Sequence, residues 1–228
     1  MKRSTFFCLG LVCTLMMSLI SVSSYAQKSS NENRGILAVY ETYDASQFLP
    51  IMEAIDESTK GMDRQLWELL SGMTSSHGPV VGVAFYRDTT AINAILNSKY
   101  SKSLLPSDLR FAWTAYPESP RSGLYRLIAL KTRNSQPAMH GDLIQNAKVE
   151  IEPLQNEVFV IISFNEKAAK EWAYFTKSNI GRSIAMVVDG KVYCYPTVHE
   201  EITGGNGMIY APWDEEDAKE LAKKLMSK

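Results

Sequence analysis

Cysteine, histidine and any imbalance of charge are what this chain has least of. It holds three cysteines and three histidines in 228 residues, and its 24 basic residues face 25 acidic ones, a formal net charge of −1. Near-neutrality removes the electrostatic footprint of a nucleic-acid binder. His77, His140 and His199 do not pair with one another at metal-ligand spacing. His199-Glu200-Glu201 joins an imidazole to carboxylates, but consecutive residues point in different directions, which makes a poor metal site. No serine nucleophile elbow and no cysteine pair occurs. Gly204-Gly205-Asn206-Gly207 lacks the lysine and the strand-loop-helix spacing of a phosphate cradle. Repeats, low-complexity tracts and heptads are missing as well. These absences leave no motif for a cofactor or a metal.

Long apolar runs are nearly absent too. One extends from Phe6 to Val22, after Lys2 and Arg3 and before Ser24-Tyr25-Ala26, whose small residues suit a signal peptidase. It is short for a membrane span and broken by serines. Residues 1–26 therefore read as a cleaved signal peptide, the alternative being a retained anchor helix. Neither Cys8 nor Cys13 has the context of lipoprotein cleavage. Cleavage removes Lys2, Arg3, Cys8 and Cys13, leaving 22 basic against 25 acidic residues, a charge of −3, and Cys194 alone. A lone cysteine makes no internal disulfide even in an oxidising compartment. The expectation is an exported protein, periplasmic or else secreted, without stable membrane insertion after cleavage.

What remains reads as α+β. Residues 27–34 are polar and form a disordered leader. Ile36 to Tyr40 is a strand. Phe48, Met52, Ile55, Met62, Leu66 and Leu69 keep helical spacing, interrupted at Thr59, with Asp44 or Ser46 as cap and Gly61 as a splitting point. Val80 to Tyr86 is a strand, and Asp88 caps a helix carrying Ile92, Ile95 and Leu96. Leu109 to Tyr116 and Leu124 to Leu130 are strands on either side of a Pro/Ser/Gly joint. Ala147 to Glu152 and Glu157 to Phe164 follow. The second is apolar on alternate residues of both faces, hence central or covered. Asn165 caps a helix that buries Ala168, Trp172 and Phe175 and ends at Gly181. Asp189-Gly190 between two apolar runs marks a hairpin. Asp214 caps a last helix with Ala218, Leu221, Ala222 and Leu225 inward, and Glu215–Lys219 and Glu220–Lys224 spaced for ion pairs.

Several of these stretches resemble a known family. The helix opening at Asn165, Thr176-Lys177-Ser178-Asn179-Ile180-Gly181, Val187-Val188-Asp189-Gly190-Lys191-Val192, Pro196 and Ile202-Thr203-Gly204-Gly205 are similar to the head of the first periplasmic domain of SecD and SecDF. Those proteins assist export through the Sec channel. Tyr40 to Tyr43, Gly78 to Gly82, Arg87-Asp88-Thr89, Leu104 to Trp113 and Pro137 to Asp142 are similar to other parts of that domain. The resemblance implies a ferredoxin-like base over residues 35–135 and a small α+β head over 136–228, with the last helix packed back toward the base. It implies no cofactor. It also implies contact with unfolded polypeptide or with the Sec machinery. Ala211-Pro212-Trp213-Asp214 departs from the glycine and hydroxyl cap usual before the family's last helix.

The expected job is non-enzymatic binding, with candidate contacts at Gly204, Gly205, Asn206, Gly207, Tyr210 and Trp213, where aromatics flank a glycine loop. The same residues also suit a role as core lids. Two alternatives remain: an envelope adaptor unrelated to export, and a cysteine enzyme built on Cys194, His199 and Asp189. The second needs an exposed, electropositive thiol. Cys194 alternates with Val192 and is expected to point into the core.

Overall fold

The computed structural model describes residues 37–71, 77–119, 121–152, 157–210 and 214–227. The expected signal peptide, the leader and Trp213 lie outside them. In chain order the elements are β1 (Leu37–Thr42), α1 (Leu49–Ser58), α2 (Leu66–Leu69), β2 (Val80–Phe85), α3 (Thr89–Leu96), α4 (Lys99–Leu104), β3 (Leu109–Trp113) and β4 (Leu124–Lys131). Then come β5 (Ile144–Glu152), β6 (Glu157–Phe164), α5 (Glu166–Ser178), β7 (Ile184–Val188), β8 (Lys191–Cys194), β9 (Asn206–Tyr210) and α6 (Glu215–Met226). The architecture is mixed α+β with two antiparallel sheets.

The first sheet has the order β2-β4-β1-β7-β8, with β3 also on β4. β1 is its pivot. Glu41 and Thr42 pair with Lys131 and Leu130 of β4, while Leu37 to Glu41 pair with β7. The expected boundary near residue 135 falls between β4 and β5, yet this sheet runs across it. From Leu37 onward the described residues fall in one compact unit. Beyond β3, Thr114 bridges Val192 of β8, and the Ala115 N–H donates to the Val192 carbonyl at 2.8 Å. The sheet thus curls until β8 meets the end of β3, and encloses Tyr40, Ala112, Ile128, Leu130, Ala185, Val187 and Val192. Alternation sends Leu37 and Val39 to the opposite face of β1, where they join the core of the second half.

The second sheet is β5-β6-β9. Its inner face (Val160, Ile162, Phe164, Ile209) packs with Trp172 and Phe175 of α5, Leu221 and Leu225 of α6, and Ile184 and Met186 of β7. α6 lies over β5 and β6. Its neighbours are thus strands of the second half, with Leu37 and Val39 reaching the same core from the first.

Local chemistry explains the element ends. Asn165 Oδ1 accepts from Ala168 N at 2.9 Å and Asp214 Oδ1 from Asp217 N at 2.8 Å, both N-caps. Asp189 (φ +46°) and Gly190 (φ +76°) form the left-handed pair a two-residue hairpin needs. The long apolar pattern of the first half breaks at Thr59. This residue is buried, and its hydroxyl donates to the Asp56 carbonyl at 2.6 Å while accepting from Leu66 N at 3.1 Å. One stripe therefore becomes α1 and α2 folded against each other. Asp88 is not a side-chain cap, contrary to expectation. Only 7% exposed, its carboxylate takes the Arg64 guanidinium at 2.6 Å instead. Glu215–Lys219 forms at 2.7 Å, but Lys224 chooses Asp189 at 2.7 Å over Glu220. No helix among the described residues is long and apolar enough to cross a membrane.

Candidate functional site

The candidate residues of the glycine loop divide into scaffold and surface. Gly205 is buried with φ +65°, and a Cβ there meets Ala169 Cβ at 2.9 Å, so α5 comes close only because the side chain is missing. Its carbonyl accepts from Phe164 N at 2.9 Å. Gly207 is buried in β9 opposite Ile162, and a Cβ on it meets the Met186 methyl at 3.2 Å. The Asn206 carbonyl accepts the Trp172 indole N–H at 3.0 Å, and its side-chain amide turns back to the Gly204 carbonyl at 3.1 Å. The stretch is therefore pinned to α5 and β6. Gly204 and the Asn206 side chain face outward.

Tyr210 belongs to a surface that the glycine pattern does not show. On β9, Gly207 and Ile209 point inward, so Asn206, Met208 and Tyr210 point outward. On β6, Phe159 and Ile161 share that outer face, and the register sets Phe159 opposite Tyr210 and Ile161 opposite Met208. The Phe159 and Tyr210 rings are 5.8 Å apart. Met208 is 53% and Tyr210 43% exposed, which leaves two cross-strand apolar pairs open to water. Lys148 and Glu150 of β5 pair across from Ile161 and Phe159, and they rim the patch with charge. The period-two apolar pattern of β6 carried this signal. It was readable only once one face was known to be buried and the other not.

The thiol and the carboxylate of the enzyme reading have other engagements. Cys194 Sγ contacts the Met208 carbonyl at 4.0 Å, a long contact, and burial pushes the thiol up to about 12. That is the reverse of an activated nucleophile. Asp189 is held by Lys224, and His199 is exposed. His77 is a surface side chain with Nδ1 3.1 Å from Asp44 Oδ2. Among the described residues no group of three or more His, Cys, Asp or Glu is arranged to hold a metal. A polar cleft of about 500 Å³ opens where β1 meets the approach to β7. Glu41, Asp44, Lys131 and Arg182 are part of its lining. Its carboxylates are already used, Glu41 by Arg133 at 2.6 Å and Asp44 by Ser46 and His77.

Comparison with known proteins bears on the same region. The family model for the SecDF P1 head subdomain matches residues 120–227. The SecD subunit of the protein translocase from Rhodothermus marinus is 32% identical over 153 residues, 66% of this chain and 24% of that protein. The SecD of Acidaminococcus fermentans is 35% identical over 105 residues, 46% of this chain and 25% of its own length. The chain thus spans about a quarter of the length of these relatives. A solved SecDF structure, described as a membrane component that enhances protein export, is 18% identical, with a TM-score of 0.39 over 83% of this chain and 92% of that one.

Proposed function

From the premise that this chain is similar to the first periplasmic domain of SecDF, with the P1 head over residues 120–227, we propose that it is an exported, non-enzymatic protein of the periplasm that engages polypeptide in transit. The observation that supports this reading is the outer face of the second sheet. Phe159, Ile161, Met208 and Tyr210 form a firm backbone-paired platform with adaptable side chains. Methionine and tyrosine make sequence-tolerant contacts, one by flexibility and the other by combining an apolar ring with a polar tip. Gly204 and Asn206 stand at the end of this platform. The Sec machinery is the partner this reading calls for.

The test is titration of the full chain with a reduced, carboxymethylated protein and with its native form. Binding of the unfolded form alone, lost in the Met208→Ser/Tyr210→Ser double variant, supports the reading. Equal binding of both forms, or none, removes it. Capture of one stably folded envelope protein on the same face makes the chain an adaptor instead.

A further inference from the structure

The open edge of β3 borders a groove that the sheet-face reading does not use. Thr132 N donates to the Asp108 carbonyl at 2.8 Å, and Thr114 N to the Arg126 carbonyl at 2.9 Å. These two bonds bracket the pairing of β3 with β4. In an antiparallel ladder residues alternate between bonding one neighbour and facing the other way. Asp108, Arg110, Ala112 and Thr114 therefore bond β4, while Leu109, Phe111 and Trp113 direct their backbone groups to the opposite edge. The Leu109 N–H is taken by the Pro106 carbonyl at 3.1 Å. Past Trp113 the edge is closed by the contact of Thr114 and Ala115 with β8. Between these points the N–H and C=O of Phe111 face the groove.

The groove holds about 490 Å³. Leu96, Leu105, Leu109 and Phe111 give it apolar walls, and its lining carries Lys102 and Arg110 but no carboxylate. Arg110 donates one N–H to the Tyr40 hydroxyl at 3.3 Å, and among the described residues neither cation has an ion pair. Asn93 lines the groove and accepts the Trp113 indole N–H at 3.0 Å, which ties the wall to a reporter in the core. A strand edge open at Phe111, an apolar wall and two cations without an ion pair among the described residues match an extended chain that alternates apolar and acidic residues. Such a chain adds as a strand, its backbone bonding the edge and its side chains alternating between wall and cations.

We propose that β3 accepts an extended segment of another polypeptide, rich in apolar and acidic residues, at a site separate from the outer face of the second sheet. The full chain, labelled with ¹⁵N, is titrated with an acetylated, amidated peptide of alternating valine and glutamate. Control peptides are the valine–lysine analogue and a valine–glutamate version with alternate backbone nitrogens methylated. The expected result is a saturable shift and slowed exchange of the Phe111 amide, with the Trp113 indole following. Both controls are weaker by about tenfold or more. Lys102→Gln with Arg110→Gln weakens binding by about tenfold, and Met208→Ser/Tyr210→Ser leaves it unchanged, so this site and the sheet face fail independently. No saturable change, equal binding of the lysine peptide, or an undiminished response to the methylated peptide overturns the proposal. Protection of Phe111 that rises with protein concentration in the absence of peptide overturns it too, since a second copy then holds the edge.

Discussion

Lys224 of α6 grips Asp189 of the β7–β8 turn at 2.7 Å. The pair joins the helix that covers the second sheet to the hairpin that ends the first. Both side chains are substantially exposed, so most of the attraction is screened by water. Lys224→Met is expected to cost less than about 1 kcal/mol in denaturant unfolding. Loss of several kcal/mol would show the link to be a structural clamp rather than a surface ion pair.

Gly205 and Gly190 separate two reasons for glycine. Both have positive φ, but a Cβ on Gly190 meets nothing within 4 Å, whereas one on Gly205 meets Ala169 Cβ at 2.9 Å. Gly190→Ala should cost about 1 kcal/mol from backbone strain alone. Gly205→Ala adds overpacking against α5, for about 2–4 kcal/mol in total. Thermal unfolding of the two variants side by side checks the ranking. Equal losses would show that α5 moves freely away from the loop.

Burial of Trp172 and its bond to the Asn206 carbonyl tie α5 to β9. Trp172→Phe keeps much of the ring area but leaves that carbonyl without its donor, at an expected cost of about 1–3 kcal/mol. The same change should speed amide exchange in β9. Unchanged exchange there would mean that β6 alone holds the strand.

The elements whose signals are local were legible in the residues. Asn165 and Asp214 cap where their side-chain oxygens reach the next turn, and Asp189-Gly190 turns because its two residues tolerate positive φ. Asp88 misled for a physical reason: Arg64, twenty-four residues earlier, offers a charged partner that outcompetes a backbone N–H. β1 reads as a strand from Leu37-Ala38-Val39-Tyr40. Its partnership with β7 joins residues 143 to 151 apart, and no local pattern announces that pairing. The same long-range pairing carries the first sheet across the expected boundary near 135. The platform on β6 and β9 stayed hidden because two similar apolar faces differ only in what covers them. The glycine loop reads as a contact surface, yet Gly205 and Gly207 answer to close packing.

The thiol of Cys194 makes the last prediction, and its sign follows from where the proton sits. Burial raises it from an ordinary value near 9 to about 12, so the folded chain holds its proton where the unfolded chain gives it up. Its contribution is intact below pH 9 and is lost as pH rises from there toward 12. At pH 10, one unit above the unfolded value, the loss should be about 1.4 kcal/mol. Cys194→Ala should remove that part of the alkaline slope while lowering stability at neutral pH through lost packing. Alkylation of the native chain by iodoacetamide at pH 8 should be on the order of a thousandfold slower than for the unfolded chain, because so little thiolate exists. Rapid labelling without denaturant, with the alkaline slope unchanged by Cys194→Ala, would restore the thiol as a reactive group and with it the enzyme reading.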